Sequence, residues 1–321
     1  MTSAFDLLTS PAILFFVVGM IAAFARSDLS LPDQAAKSLS LYLMLCIGFK
    51  GGVEARMAGL TPDFALAAGI GLAFSALTPV LAYVLLRRLT RLDRPTICAL
   101  AATYGSVSVV TFAAAQQHLA AQGVDSSGYM AAVLALMETP AILTALILLN
   151  RAGRGRPGER AKVLREVFVN AAAVMLIGSF IVGLISGERG MERLDVFVGP
   201  LFQGALCFFL LDVGLIAARR LMADGRKMTP AVVGFALLFP IASGILALLL
   251  ARQAGLAQGD ATLLAVLAGS ASYIAVPAAM RLAAPEADAG VFVSASLAVT
   301  FPFNLLIGIS AYAATAAWLW Q

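Results

Sequence analysis

The chain has 321 residues, of which 61% are hydrophobic and only 12% are charged, and its mean hydropathy is +0.92. Soluble domains have about 25% charged residues, so this composition excludes a soluble globular protein and predicts a polytopic membrane protein. The net charge of +4 does not predict nucleic-acid binding, because the basic residues lie in short loops between apolar segments.

Ten apolar segments are long enough to cross a bilayer, which takes about 20 mainly apolar residues. In chain order they are 10–26, 33–50, 63–86, 96–119, 127–149, 167–187, 197–217, 230–251, 261–284 and 289–320. No Lys or Arg precedes the first segment, so a cleavable signal peptide is not expected. The sequence predicts an all-α membrane protein with ten transmembrane helices.

Lys and Arg are distributed unevenly between the loops. With the N-terminus placed outside, 17 of them fall on the inside and 5 on the outside. Since cytoplasmic loops are enriched in basic residues, this distribution predicts that both termini lie outside. The most basic stretch, 151–166, is expected to be a cytoplasmic linker that contacts either anionic lipid headgroups or a cytoplasmic regulator.

The two halves of the chain share four matches in the same order, at separations of 161 to 164 residues. They are Phe74-x4-Pro79 with Phe235-x4-Pro240, Lys50-Gly51-Gly52 with Asp212-Val213-Gly214, Gly105-Ser106-x-Ser108 with Gly269-Ser270-x-Ser272, and Pro140 with Pro302. Each half has five predicted spans, an odd number, so the second half must insert upside down. We expect a first repeat at 1–150, the linker at 151–166 and an inverted second repeat at 167–321, with a site near the membrane midplane.

The two Gly-Ser-x-Ser motifs interrupt apolar segments and predict local unwinding, which is tolerated at membrane depth where protein or a water-filled cavity surrounds it. Each interruption would start a half-helix whose first N–H groups lack partners and attract anions. The candidate substrate ligands are Gly105, Ser106, Ser108, Thr111, Gly269, Ser270, Ser272 and Tyr273. The alternative is that these small residues only allow close helix packing.

Four ionisable residues lie in or beside apolar segments, where a charge is costly: Lys50, Glu54, Glu138 and Asp212. Glu138 could stay neutral, pair with a cation or help to hold sodium. We expect sodium to be coordinated by carbonyls and hydroxyls of the interrupted segments, with Ser108, Ser272 and Glu138 as candidates. Lys50 and Asp212 are a candidate gating or structural pair, or simply charges at the ends of spans.

Other chemistry is not expected. His118 is the only histidine and is predicted to be an interfacial polar residue, and the three cysteines, Cys46, Cys98 and Cys207, are expected to be packing residues. The sequence has no His/Cys cluster and no nucleotide-binding motif. We therefore expect neither an enzyme nor a cofactor, and no metal other than sodium.

Several strings together resemble the SbtA-type sodium-dependent bicarbonate transporters over nearly the whole chain. They are Ser10-Pro11-Ala12, Ile47-Gly48-Phe49-Lys50-Gly51-Gly52, Tyr104-Gly105-Ser106-Val107-Ser108, Met137-Glu138-Thr139-Pro140-Ala141, Ser270-Ala271-Ser272-Tyr273-Ile274-Ala275, and Arg281 to Pro285-Glu286-Ala287. The resemblance implies a core domain that moves against a gate domain, a homotrimer in the bacterial inner membrane, and bicarbonate bound between the broken helices with sodium nearby. It also implies inhibition by a PII-like protein on the cytoplasmic face.

From the residues alone, the expected function is secondary transport of a small anion. N–H groups and hydroxyls without an arginine fork suit a compact monoanion. The resemblance specifies sodium-coupled import of bicarbonate. The alternatives are transport of another small anion or organic acid on the same scaffold, an uncoupled anion channel, and a membrane receptor.

Overall fold

The computed structural model describes residues 9–59, 61–151 and 171–321. Within these ranges the chain is helical, and two stretches of the last helix, Ser294–Thr300 and Asn304–Gly308, have π-helical geometry. The helices are α1 Pro11–Phe24, α2 Asp33–Ala58, α3 Pro62–Leu89, α4 Arg94–Gly105, α5 Val109–Ala121, α6 Met130–Arg151, α7 Ala171–Val198, α8 Pro200–Asp224, α9 Pro230–Gln253, α10 Gln258–Ala268, α11 Ala275–Ala283 and α12 Ala289–Leu319.

Seven helices of the described chain are long and apolar enough to cross a membrane, by length and composition, when α4 and α5 are counted as one. They are α3, α4 with α5, α6, α7, α8, α9 and α12. Helix α1 is apolar but shorter, and α10 and α11 are separate pieces of 11 and 9 residues. The predicted class, an all-α polytopic membrane protein, is confirmed, while the number of ten spans stays a prediction.

The predicted boundaries differ most around residue 187. Helix α7 does not end there but bends at Gly187, whose φ of 58° is in the left-handed region that favours glycine. Arg56 of α2 donates hydrogen bonds to the carbonyls of Leu184 and Ile185, just before the bend. Residues 188–196, which the sequence placed in a loop, are therefore helical, and α2 extends past its predicted end at 50 to reach them.

Four helices form two tightly crossed pairs, α1 with α8 and α2 with α7. Glycines lie at both crossings. A Cβ on Gly52 would overlap the carbonyl oxygen of Phe180, and Gly183 approaches α2 in the same way. Gly19 and Gly214 make the corresponding contacts between α1 and α8. Because backbones this close leave no room for a side chain, these pairs are expected to behave as stiff units.

The other helices form the rest of the bundle. Helix α3 packs on α6 and α4, and α9 packs on α10. The halves of the broken helices cross, so that α4 lies beside α11 and α5 beside α10. Helices α4 and α5 together have a fully buried apolar stretch. Pro302, which cannot donate an i→i−4 hydrogen bond, lies between the two π-helical stretches of α12, an adjustment that membrane helices use around proline.

We expect Gly183→Ala to lower the yield and melting temperature of the purified protein, because its methyl group would displace α2 from α7. Gly178→Ala is the matched control on the same helix, since nothing lies within 4 Å of its added Cβ. Thermal unfolding followed by size-exclusion chromatography measures both variants. Equal melting temperatures for the two would contradict the role given to the crossing.

Candidate functional site

Both Gly-Ser-x-Ser motifs interrupt their helices, as the sequence predicts. Helix α4 ends at Gly105 and α5 begins at Val109, and Ser106 and Ser108 between them are extended. The second interruption separates the end of α10 at Ala268 from the start of α11 at Ala275. Each motif therefore ends one half-helix and precedes the N-terminus of another.

Hydrogen bonds across the two interruptions satisfy backbone groups that the broken helices leave free. The Ser108 N–H donates to the Ser270 hydroxyl oxygen at 3.0 Å. The Ser272 N–H donates to the Thr103 carbonyl at 2.8 Å. Since unpaired backbone groups are expensive away from water, each break depends on the other, and the two lie together in the buried interior.

The motif glycines serve this packing. A Cβ on Gly105 would overlap the ring of Pro79, and a Cβ on Gly269 would overlap the Tyr312 hydroxyl. Asn304, at the start of the second π-helical stretch of α12, donates from Nδ2 to the Gly269 carbonyl at 2.8 Å. Both predicted glycine ligands thus lie against protein.

A small cavity lies where the interruptions meet α2, and we call it the site cavity. Its volume is about 20 Å³, enough for about one water-sized group. Its polar side chains are Ser40, Ser108, Glu138, Ser272 and Tyr273. Its apolar wall comes from α2, the start of α5 and the start of α11, and consists of Leu43, Met44, Ile47, Val107, Val109, Val110, Ala113, Ile274 and Ala275.

The structure divides the four motif serines into two roles. Ser106 and Ser270 do not line the site cavity, and their hydroxyls donate to carbonyls at 3.4 Å and 2.9 Å. Ser108 and Ser272 do line it. The Ser108 oxygen accepts from the Thr111 N–H at 3.2 Å and from the Thr111 hydroxyl at 2.9 Å. Its own O–H is therefore left to donate to a ligand, and Thr111 acts by orienting Ser108.

The start of α5 offers backbone donors to the same cavity. The N–H groups of Val109 and Val110 donate to no other described residue, and both residues line the cavity. Together with the Ser108 hydroxyl they form a helix N-terminus open to an anion. At the start of α11, the Ser272 oxygen accepts from Val276 N–H at 3.5 Å, which leaves its O–H free to donate as well.

Glu138 is the charged side chain of the site cavity, and it is only 3% exposed. Its Oε2 has no hydrogen-bond partner among the described residues. The Ser75 hydroxyl of α3 inserts into α6 beside it, donating to the Met137 carbonyl and accepting from the Ala141 N–H at 3.1 Å. This insertion and Pro140 interrupt the regular hydrogen bonding of α6 at Glu138.

A larger cavity adjoins the site cavity, and we call it the vestibule. It has a volume of about 1010 Å³ and lies between α1, α2, α5 and the start of α8. Ile47 and Ala113 line both cavities and so lie between the vestibule and the site cavity. His118 lines the vestibule, with Nε2 2.9 Å from Gln122 Nε2. Gln117 of α5 donates to Gln203 of α8 at 2.8 Å.

The structure does not bring Lys50 and Asp212 together. Lys50 lines the vestibule, and its Nζ lies 4.0 Å from Oε1 of Glu54, one turn away on α2. Asp212 is buried on α8. No ion pair between Lys50 and Asp212 is formed among the described residues, so their role as a gating or structural pair stays a prediction.

Sequence reasoning missed Ser40, the hydroxyl that α2 contributes to the site cavity. The signal was present, because Ser40, Leu43, Met44 and Ile47 are spaced to lie on one face of a helix. It was overlooked because serine is common near span ends and has no counterpart in the repeated motifs.

This geometry defines a class of protein: a polytopic membrane protein with two broken helices that meet at a polar cavity, as in secondary transporters. The model of the Na+-dependent bicarbonate transporter superfamily matches residues 11–317. The chain therefore belongs to the Na+-dependent bicarbonate transporter superfamily, which confirms the resemblance and supports a transporter role rather than an enzymatic one. No curated protein matches the chain.

The division between the serines gives a direct test. We expect Ser272→Ala to raise the KM for uptake about tenfold to a hundredfold, since a hydrogen bond to a charged group contributes about 1.5–3 kcal/mol. Its melting temperature should stay near that of the parent. Ser270→Ala should instead lower the melting temperature, because it leaves the Ser108 N–H without an acceptor. The same change in KM for both variants would refute the division.

Proposed function

We propose that the protein is a sodium-coupled symporter that imports bicarbonate by alternating access. The observation that carries the proposal is the presence of an anion-type site and the buried Glu138 carboxylate in one cavity. An anion and a carboxylate about 5 Å apart repel each other by about 3 kcal/mol at an effective dielectric constant of about 20. A cation between them removes this repulsion, so sodium and the anion bind together.

The oxygen atoms around the cavity suit sodium. Hard cations prefer carboxylate, hydroxyl and carbonyl oxygens. Glu138 Oε2 is unpartnered, and the Ser272 oxygen, which accepts a single hydrogen bond, lines the same cavity. The Ser108 oxygen already accepts two hydrogen bonds from Thr111, so Ser108 is assigned to the anion. We place the anion at the N-termini of α5 and α11, and sodium on the side of Glu138. The cavity of about 20 Å³ must widen to take the two ions, and a compact monoanion needs less widening than a larger organic acid.

We further propose the inverted five-plus-five repeat with ten spans. The glycine crossings support it. Gly19 of the first half corresponds to Gly183 of the second at an offset of 164, and Gly52 corresponds to Gly214 at an offset of 162. The crossing of α1 with α8 therefore has its counterpart in the crossing of α7 with α2. Two loop contacts support it as well. The Asp288 N–H donates to Thr96 at 2.9 Å, and the Ser127 N–H donates to Asp260 at 2.6 Å. In each case the start of one repeat's broken helix binds a loop of the other repeat.

We propose that the vestibule lies on the outside of the bacterial inner membrane, because the uneven distribution of Lys and Arg favours this orientation. The crossed helices α1, α2, α7 and α8 form the gate domain, and the other helices form the core domain. In this assignment the described conformation is open to the outside. The inside is closed by contacts between α8 and the core, including an ion pair of 3.1 Å between Lys227 and Asp288.

Transport in liposomes tests the function. With sodium outside and none inside, a coupled carrier accumulates labelled bicarbonate above the external concentration, and potassium or choline does not replace sodium. Equilibration without accumulation would identify a channel, and an absence of flux would favour a receptor. Stronger competition by another anion would reassign the substrate.

Glu138→Gln tests the coupling. The neutral amide removes the repulsion, so we expect bicarbonate binding to the purified protein to become far less dependent on sodium. Binding of labelled bicarbonate is measured at zero and saturating sodium. Glu54→Gln is the control, because Glu54 lines the vestibule and not the site cavity. Parent-like sodium dependence in Glu138→Gln would remove Glu138 from the coupling mechanism.

The linker 151–166 lies outside the described residues except for Arg151, the last residue of α6. We retain it as the proposed contact for a PII-like regulator, along with a homotrimeric assembly. Its six basic residues also suit anionic lipid. Changing Arg154, Arg156 and Arg160 to Gln should weaken inhibition by a co-expressed PII-like protein and leave basal transport near normal. Poor membrane insertion, or inhibition equal to the parent, would favour a role in lipid contact or orientation alone.

A further inference from the structure

Lys50 and Asp212 occupy equivalent positions of the proposed repeat and have opposite charges. They are 162 residues apart, the same separation as Gly52 and Gly214 two positions further on. Since these glycines form the crossings of the two helix pairs, they fix the rotation of α2 and α8 about their axes. The inference below rests on the proposed inverted repeat and alternating access.

Lys50 stands beside the open path. Its side chain is 56% exposed and lines the vestibule one turn beyond Ile47, where the vestibule meets the site cavity. Glu54 also lines the vestibule, but its carboxylate is 4.0 Å away, too far for a close ion pair. An anion approaching the site from the vestibule therefore passes an ammonium group.

Asp212 stands in the corresponding place on the closed side. At Gly214, α8 packs directly against the Phe16 carbonyl of α1. At Gly52, α2 packs in the same way against the Phe180 carbonyl of α7. Helix α8 also packs on the core segments Ala289–Val293 and Ser294–Thr300, and Asp212 is 5% exposed.

We propose that Asp212 lines the cytoplasmic path when that path opens, in the place that Lys50 has on the outer path. Bicarbonate would then be taken up past a positive charge and released past a negative one. The carboxylate lowers the affinity of the inward-facing state for the anion and draws sodium towards the cytoplasm. The repeat makes the two paths alike in shape, and Lys50 and Asp212 give them opposite charges.

Cysteine accessibility tests the placement. The background replaces Cys46, Cys98 and Cys207, so that the introduced cysteine is the thiol that is labelled. A membrane-impermeant thiol reagent is applied to right-side-out and inside-out vesicles. We expect Lys50→Cys to react from the outside and Asp212→Cys only from the inside. A change in sodium or bicarbonate concentration that slows labelling of Lys50→Cys should speed labelling of Asp212→Cys, and the reverse, because the two paths open alternately.

Reaction of Asp212→Cys from the outside would overturn the proposal, as would no reaction from either side in a variant that still transports. Rates that rise and fall together at the two positions would overturn it too. Accumulation of bicarbonate is measured in the same vesicles. Loss of accumulation in the parent refutes the proposed function, whereas normal accumulation with the wrong labelling pattern refutes only this placement.

The charge itself is tested by neutral variants. We expect Asp212→Asn to lower the KM for bicarbonate measured from the cytoplasmic side about twofold to fivefold, the effect of one partly solvated charge, and to leave the outer KM unchanged. Lys50→Gln should raise the outer KM by a similar factor and leave the inner one unchanged. Asp28→Asn, which alters an exposed carboxylate between α1 and α2, is the control. Equal effects on both sides, or none, would contradict the assignment.

Discussion

The constraint on which the structure depends is that backbone polar groups inside a membrane protein need partners. Two helices are broken in the interior, and neither break could exist alone. The Ser108 N–H is satisfied by Ser270, and the Ser272 N–H by Thr103. Because each half of the chain satisfies the other, the donors that remain unused, at Val109 and Val110, are left for a ligand. These unpaired N–H groups form part of the candidate site.

The helix crossings divide the molecule into parts of different stiffness. The glycine contacts join α1 to α8 and α2 to α7 so closely that neither pair can slide without steric overlap. The vestibule, by contrast, is bounded on one side by α2 and on another by α5, and a hydrogen bond between two amides joins Gln117 of α5 to Gln203 of α8 across it. Neutral contacts of this kind can be exchanged for water at little cost.

Much of the fold could be predicted from the sequence, because span length and the positions of Gly, Ser and Pro have direct physical meaning in a membrane. The interruptions at 105–108 and 269–272 were found in this way. The helical continuation after Gly187 was missed, because its stability comes from Arg56 on another helix. A sequence shows the glycine at such a bend and not the distant side chain that binds the released carbonyls.

The candidate site was predicted less completely. The serines were predicted as a group, but the pattern could not show that Ser106 and Ser270 bind carbonyls while Ser108 and Ser272 line the cavity. Which hydroxyl is free depends on the crossing of α4 with α11 and of α5 with α10. Ser40 escaped notice for the same reason, since only the packing of α2 against the breaks gives it a role.

The contacts around the C-terminal end of α8 differ in their response to ionic strength. The ion pair between Lys227 and Asp288 joins side chains that are 49% and 42% exposed, so dissolved salt screens it. The hydrogen bond from the Asp288 N–H to Thr96 is partly buried and involves no formal charge. Concentrated electrolyte therefore loosens the attachment of α8 to the loop without loosening the loop itself. Under the proposed alternating access, salt accumulated on that side would shift the protein towards the conformation in which this end is open.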